Sequence, residues 1–278
     1  MKKPTYNEIN KGKNLINHLD ILKKANMNFV LENSTYTAKI ITDESIINFN
    51  TKNLSIKCFC AAQMILKDIN ESGIEKPKIS ISDLEYFEQN LKSELIPKVV
   101  NFDITKAYPT ILFSDGFISQ KTFDYMNDLK KTERLASIGM LARKKNITEF
   151  ENGKPIKTKI DRKETAEYFF YLVDKTNKII SEIRQNVKLR FLFSWVDGIY
   201  FEFTNQNDIF EAEKIISKIL NKYKLKFTTE YLTDYVSHFH NGFYQVYFNK
   251  GEKIKRFSIP SNEIRLNYLT YKKLNALA

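Results

Sequence analysis

Residues 189–203 read LRFLFSWVDGIYFEF, two aromatic-rich apolar runs that meet at one acidic position, Asp197. Runs of this kind joined by an Asp-Gly pair are typical of a β-hairpin. We predict such a hairpin with Asp197-Gly198 as its turn, which places the Asp197 carboxylate at the tip. A purely structural explanation is also open, because an Asp-Gly pair favours a turn whatever its chemistry.

A second apolar strand that ends on a carboxylate lies earlier in the chain. Residues 98–103 read KVVNFD, a β-branched run that closes with Asp103. If this strand pairs with the hairpin, Asp103 and Asp197 meet at one edge of a sheet. Two carboxylates held that close repel each other unless a cation neutralises them. Divalent metals held in this way serve phosphoryl transfer, although Asp103 is also explained as a turn or helix-capping carboxylate.

The elements around these strands alternate between helical and extended patterns. Helices are predicted at 6–26, 58–69, 82–95, 120–145, 162–187 and 208–223, and strands at 29–56, 98–103, 147–160, 189–203, 226–231, 235–240 and 243–257. An Asn-Gly pair at 152–153 predicts a further hairpin turn. This order predicts an α+β fold with helices on one face of an antiparallel sheet.

The bulk composition is that of a folded, basic protein. The 278 residues are 42% hydrophobic and 28% charged, with 8 Gly and 6 Pro, which excludes disordered and fibrous classes. The formal net charge of +11 favours phosphate-rich partners, although AT-rich coding would also enrich Lys. No apolar run approaches the roughly 18 residues that span a bilayer. We therefore expect a cytoplasmic protein without a membrane partner.

Two residue pairs have metal-like spacing without the further ligands that a site needs. Cys58 and Cys60 are two apart, as are His238 and His240, and no second pair stands near either. Structural zinc sites take four ligands. We therefore expect two buried reduced thiols on one face of a strand, and two ordinary sheet histidines.

The stretch that begins at Asp103 carries the most specific motif in the chain. Residues 103–111 read DITKAYPTI and resemble the first palm motif of family B DNA polymerases, Asp-x-x-Ser-Leu-Tyr-Pro-Ser-Ile, in a register without gaps. The Asp, Tyr, Pro and Ile of that motif are retained. The resemblance implies that Asp103 and the Ile104 carbonyl bind metal, and that the Tyr108 ring packs beneath the incoming sugar and rejects a 2′-hydroxyl. A core tyrosine is the alternative for Tyr108.

The fingers motif of the same family matches more loosely. Residues 131–139 read KTERLASIG and fit the spacing of Lys-x-x-x-Asn-Ser-x-Tyr-Gly, of which only the Lys and the Gly remain. The resemblance, together with the basic helix face, implies that Lys130, Lys131 and Arg134 bind the nucleotide triphosphate. A solvated basic face is the alternative for each of them.

The hairpin itself resembles the third family motif, Tyr-x-Asp-Thr-Asp-Ser. Asp197 takes the place of the second Asp, which is a metal ligand in the family, and Trp195 replaces the first. The same run is similar to the Tyr-x-Asp-Asp hairpin of reverse transcriptases, which share the palm. The resemblance implies that Asp103 and Asp197 are the catalytic residues and hold two Mg²⁺ or Mn²⁺ ions.

Basic residues follow on the last hairpin, as in the family's basic strand after the palm. The resemblance implies that they bind nucleic acid along the primer backbone; mere exposure is the alternative. They are Lys250, Lys253, Lys255 and Arg256.

The resemblance covers roughly residues 98–257 and implies a domain organisation. We expect an N-terminal α+β region of unknown role at 1–97, a palm at 98–242 with a small helical fingers-like insertion at about 117–146, and a basic hairpin with a short tail at 243–278. Neither a proofreading exonuclease nor a full thumb is expected. The chain thus resembles a minimal family B polymerase of phage or mobile-element type.

Three functions follow from these patterns. The leading one is a template-directed DNA polymerase that extends a DNA primer-template with dNTPs, with low processivity unless a replication partner protein assists. The second is a catalytically inactive palm that binds nucleic acid as a replication protein, since an acid is lost at Trp195. The third is a primase or terminal transferase built on the same palm.

Overall fold

A computed structural model describes residues 9–11, 13–34, 36–50, 55–79, 88–250 and 253–261. These residues form strands β1 (Ile9–Lys11), β2 (Phe29–Asn33), β3 (Thr37–Ile41), β4 (Ile46–Asn50), β5 (Glu94–Thr105), β6 (Lys144–Glu151), β7 (Lys154–Arg162), β8 (Arg190–Trp195), β9 (Gly198–Glu202), β10 (Lys226–His240), β11 (Phe243–Lys250) and β12 (Lys253–Pro260). Their helices are α1 (Lys13–Lys24), α2 (Ile56–Glu71), α3 (Ala107–Ser114), α4 (Gln120–Asp128), α5 (Lys131–Gly139), α6 (Ala166–Asn186) and α7 (Gln206–Lys222). Within the described residues, no helix is both long and apolar enough to cross a bilayer.

Internal contacts divide the chain into two units, each with a six-stranded sheet. Unit 1 comprises residues 1–70 and 124–169, and unit 2 comprises 71–123 and 170–278. The strand order is β1-β4-β3-β2-β6-β7 in unit 1 and β12-β11-β10-β5-β9-β8 in unit 2. All pairs are antiparallel except β1–β4. Separate helices and mainly antiparallel sheets confirm the predicted α+β class.

Apolar side chains of α1 and the first strands build a small core in unit 1. Its buried members are Leu15, Phe29, Ala38, Ile40 and Phe49. The Phe29 ring stacks on that of Phe150, with the ring centroids 4.3 Å apart, which joins β2 to β6. The sheet is therefore held by side-chain packing as well as by its ladder of hydrogen bonds.

The sheet of unit 2 has helices on the face that lies opposite Asp103. Successive residues of a strand point to alternate faces, which places Tyr231 and Phe191 on the other face from Asp103. Helix α7 reaches that face through Gln206, whose side-chain amide donates to the Tyr231 hydroxyl at 2.8 Å. Helix α6 places the Arg184 guanidinium over the Phe191 ring, 4.8 Å from its centroid.

The helix predicted at 82–95 is wrong in its described part, and its first six residues lie outside the described residues. Residues 88–90 run along the outer edge of β8, where the Ser194 N–H donates to the Glu88 carbonyl at 2.9 Å, and β5 begins at Glu94. A capping-box pattern is a local signal. The unpaired backbone groups of an edge strand offer this segment partners that a local pattern does not reveal.

The strands predicted at 226–231 and 235–240 are one strand, β10, of 15 residues. Its register against β11 shifts between Thr233 and Val236, and Asp234 adopts a φ of 53°. This is a β-bulge, which bends a strand without ending it. The polar Thr-Asp pair therefore marks a kink in the sheet and not a turn.

The two cysteines lie on helix α2 and not on a strand. Cys58 is buried and Cys60 is exposed, and both are free thiols. On a helix, residues two apart do not share a face, so the prediction of two buried thiols is wrong for Cys60. His238 and His240 lie on β10, as predicted.

The β6–β7 hairpin turns at Asn152-Gly153, as predicted. Their φ angles are 50° and 73°, the positive values of a type I′ turn. The Gly153 N–H donates to the Met27 carbonyl at 3.0 Å, and a Cβ on Gly153 would overlap the carbonyl oxygen of Lys23. Glycine is therefore needed here for its backbone conformation and for its lack of a side chain.

We expect Gly153→Ala to lower the free energy of unfolding by about 2–4 kcal/mol, since left-handed strain adds to the overlap. Gly73→Ala is the matched control, because Gly73 has a φ of 66° and open space around its Cβ position. Its loss should stay near 1–2 kcal/mol, about the cost of the strain alone. Urea unfolding measures both, and equal losses would contradict the close approach to Lys23.

Candidate active site

Strand pairing in unit 2 brings the two predicted catalytic aspartates together. Strand β5 lies between β9 and β10, and Asp103 faces Gly198 on one side and Thr228 on the other. The Ile104 N–H donates to the Asp197 carbonyl at 2.8 Å. Asp103 is thus opposite the residue that follows Asp197, and the residue after Asp103 is bonded to Asp197. The two aspartates are therefore neighbours in the backbone at the end of the β5–β9 ladder.

The turn that carries Asp197 differs by one residue from the predicted Asp-Gly turn. Trp195 pairs with Gly198, so the two loop residues are Val196 and Asp197. Val196 has a φ of 60°, a conformation that β-branched residues rarely adopt. Such strain costs on the order of 1–3 kcal/mol and persists only where the surroundings impose it. The hydrogen bond from Ile104 to Asp197 is one such restraint.

Gly198 is a glycine because of its neighbour Asn101 and not because of the turn. A Cβ on Gly198 would lie 3.0 Å from the Asn101 Oδ1 and 3.3 Å from the Tyr200 Cε2. Asn101 is 3% exposed, and its Oδ1 is buried without a hydrogen-bond partner among the described residues. An unsatisfied buried acceptor costs stability, so its position beside the aspartate pair points to a role in this site.

The pKa of Tyr200 responds to the carboxylates of the site. Burial raises the pKa of Tyr200, and the nearby carboxylates of Glu230, Asp103 and Asp197 raise it further. The ring stacks on Phe193 with the centroids 4.2 Å apart. Three carboxylates thus lie within electrostatic reach of the Tyr200 hydroxyl.

Glu230 is a third carboxylate near Tyr200, and the sequence motifs do not indicate it. It faces Asn101 across β5 and β10, and the Asn101 Nδ2 donates to its Oε2 at 3.5 Å. Lys255 donates to the same carboxylate at 2.5 Å, and Lys250 forms a second ion pair with it. Burial would raise the pKa of Glu230, but the hydrogen bonds from Lys250 and Lys255 outweigh burial and lower it.

Lys250 and Lys255, which pair with Glu230, are two of the four residues predicted to bind nucleic acid. The other two, Lys253 and Arg256, lie on the same hairpin. Lys253 is exposed and faces Lys250 in the β11–β12 ladder. The Arg256 guanidinium lies over the Tyr247 ring, 5.7 Å from its centroid. Nucleic-acid binding by these residues stays a prediction. Lys250 and Lys255 are positioned by Glu230 and not freely extended.

Tyr108 lies on the first turn of α3 and is 7% exposed. The helix begins directly after β5, where Lys106 adopts a φ of 52° and turns the chain. The short connection from Asp103 therefore positions Tyr108 within unit 2. Its role beneath an incoming sugar stays a prediction.

The residues predicted to bind the triphosphate belong to unit 1. Lys130 precedes α5 and Lys131 begins it, and both are exposed. The Glu133 carboxylate accepts the Lys130 N–H at 3.2 Å. Arg134 donates to the Leu129 carbonyl at 3.1 Å, and partial burial lowers its pKa. Nucleotide binding by Lys130, Lys131 and Arg134 stays a prediction.

Comparisons with known proteins give no family for the chain. No family model matches it, and no curated protein matches it. Among solved structures, the in situ structure of the BmCPV RNA-dependent RNA polymerase at elongation state matches with a TM-score of 0.23 and 11% identity, over 94% of this chain and 25% of that one. The chain thus spans 25% of that polymerase. A likeness this low carries no argument about fold or function.

The ion pairs of Glu230 predict a pH-dependent contribution to stability. The folded pKa lies below the reference value of 4.5, so the contribution is complete above that value and is lost as the pH falls through the folded pKa. At pH near 7, Glu230→Gln should lower the unfolding free energy by about 1 kcal/mol, a value reduced because both lysines are partly exposed. At an acid pH below that folded pKa, the variant and the wild type should converge.

The matched control is Glu211→Gln, which removes an exposed ion pair with Lys214 of 2.8 Å. It should change stability by less than about 0.5 kcal/mol at either pH. Urea unfolding at both pH values makes the comparison. A Glu230→Gln difference that does not depend on pH would contradict the ion-pair account.

Proposed function

We propose that the chain is a template-directed DNA polymerase in which Asp103 and Asp197 are the catalytic metal ligands. The observation that carries the proposal is the β5–β9 pairing, with Asp103 opposite Gly198 and the Ile104 N–H bonded to the Asp197 carbonyl. Two carboxylates that lie close together repel each other, and a bound cation relieves that repulsion. The resemblance of residues 103–111 to a family B palm motif makes nucleotidyl transfer the chemistry that such cations would serve.

The architecture of unit 2 supports the palm interpretation. Helices α6 and α7 contact the sheet on one face, and Asp103 lies on the other. The Asp103 face also carries a buried apolar cluster that includes Val99, Phe193, Tyr200 and Leu232. Asp103 lies beyond that cluster, near the end of β5. Burial and Glu230 raise the pKa of Tyr200 most, and both aspartates raise it further, which supports a negative potential at this end of the sheet.

The oxygen donors present fit a hard divalent cation. Asp103 is half-buried and forms no ion pair with another described residue. Its carboxylate is therefore available to bind a cation. The carboxylate of Asp197, the Ile104 carbonyl and the unsatisfied Asn101 Oδ1 are further donors of the kind that Mg²⁺ and Mn²⁺ prefer. Two such ions would activate the attacking 3′-hydroxyl and stabilise the leaving pyrophosphate.

The remaining side chains would act by positioning and by charge. Within unit 2, Tyr108 would pack beneath the sugar and the last hairpin would bind the primer backbone. Glu230 would hold Lys250 and Lys255 in place. Because it carries one negative charge and they carry two positive charges, the group would keep a net positive charge. Phosphoryl transfer needs little more from a protein than positioning and electrostatic stabilisation.

Primer extension on a DNA primer-template with dNTPs and Mg²⁺ or Mn²⁺ tests the proposal. Asp103→Asn and Asp197→Asn should each reduce the rate by about a thousandfold or more, since each removes a charged metal ligand. Asp234→Asn is the matched control: asparagine tolerates a φ of 53° and keeps an oxygen for the Asn249 amide, which now donates at 2.9 Å. This variant should extend primers like the wild type.

Thermal unfolding with and without Mn²⁺ gives a readout that does not depend on activity. Metal binding to the folded chain should raise the Tm of the wild type and of Asp234→Asn, and not of the other two variants. A chain that binds primer-template but neither extends it nor responds to Mn²⁺ would be the inactive palm. Synthesis without a primer would instead identify a primase or terminal transferase.

A further inference from the structure

A cluster of cations lies at one end of the unit 1 sheet, where β6 begins and β7 ends. Arg143 precedes β6, Lys145 is the second residue of β6, and Lys163 follows β7 and donates its N–H to the Arg143 carbonyl at 3.3 Å. The Arg143 Nη2 donates to the Ser34 Oγ at 2.9 Å and also to the Thr37 Oγ1. Two hydroxyls of the β2–β3 turn thus orient one guanidinium.

The cluster has more positive charge than its carboxylates balance. Lys145 pairs with Glu32 at 3.2 Å and faces Asp161 across β6 and β7. Arg143 and Lys163, in contrast, form no ion pair with any residue that the structure describes. Partial burial and the charges of Arg143 and Lys145 lower the pKa of Lys163, as expected where like charges crowd together.

Arg143 is the residue that most needs an anion. It is half-buried, and its Nε is buried with no hydrogen-bond partner among the described residues. A guanidinium withdrawn from water without a counter-ion is costly, and neutral hydroxyls offset only part of that cost. A half-exposed guanidinium with an ammonium beside it is a combination by which proteins bind phosphate oxygens.

We propose that Arg143 and Lys163, with Ser34 and Thr37 as orienting hydroxyls, form a binding site for a phosphate group. The phosphate would belong either to a free nucleotide or to a nucleic-acid backbone, which present the same oxygens. The site lies wholly within unit 1 and uses none of the residues that the sequence motifs assign to nucleotide binding. It does not depend on the polymerase proposal, because anion binding requires no catalysis.

Titration of the full chain with inorganic tripolyphosphate and with a short single-stranded DNA tests the site. Arg143→Gln should weaken binding of the true ligand about tenfold, the usual effect of one lost charge-assisted hydrogen bond. Lys163→Gln should weaken binding in the same way. Because Lys163 is exposed and its backbone bond to Arg143 remains, we expect this variant to fold, so a loss of binding would not reflect misfolding. Lys159→Gln, which removes an exposed lysine of β7, is the control and should change either affinity less than about twofold.

Weaker binding of tripolyphosphate in both variants would assign the site to a free nucleotide. Weaker binding of DNA alone would assign it to a nucleic-acid backbone. If Arg143→Gln and Lys163→Gln both bind the two probes as Lys159→Gln does, the proposal is wrong, and the unbalanced charge has only a structural role.

Discussion

One backbone hydrogen bond, from the Ile104 N–H to the Asp197 carbonyl, closes the end of the ladder on which the candidate site depends. It lies beyond the last paired residues of β5 and β9 and fixes a turn whose first residue, Val196, is strained. Asp103 belongs to one strand and Asp197 to the loop of another. Their proximity therefore rests on this bond and on the packing of Asn101 against Gly198, where an added Cβ would make a tight contact.

Local sequence patterns predict much of the fold, and they also identify Asp103 and Asp197 as candidate site residues. The Asn-Gly pair at 152–153 and the two apolar runs at 189–203 indicate hairpins, although the second turn lies one residue before its Asp-Gly pair. Helices α2, α6 and α7 have clear apolar stripes. What the sequence does not reveal is which strands become neighbours. Asn101 and Glu230 read as ordinary strand residues until β10 is placed beside β5. A buried amide and an inward-facing carboxylate inside strands were the available signals, but neither indicates its partner.

Cations of the chain lie in two different environments, one with a carboxylate partner and one without. On the last hairpin, Lys250 and Lys255 share the carboxylate of Glu230, which fixes their positions and offsets part of their charge. At the end of the unit 1 sheet, the Arg143 guanidinium donates to two hydroxyls and to no carboxylate among the described residues. A net charge counts both groups equally, although only the second carries the cost of a partly buried cation without a counter-ion.

The position of the Ile104 amide gives the site a built-in probe. Its proton is hydrogen-bonded only while the Asp197 loop stays against β5, and a backbone proton exchanges with solvent deuterium when such a bond opens. Because the neighbouring ladder residues report opening of the sheet itself, the difference between their protection and that of Ile104 isolates movement of the loop. Isotope exchange at one backbone position thus measures, in the intact chain and without any substrate, how often the two aspartates separate.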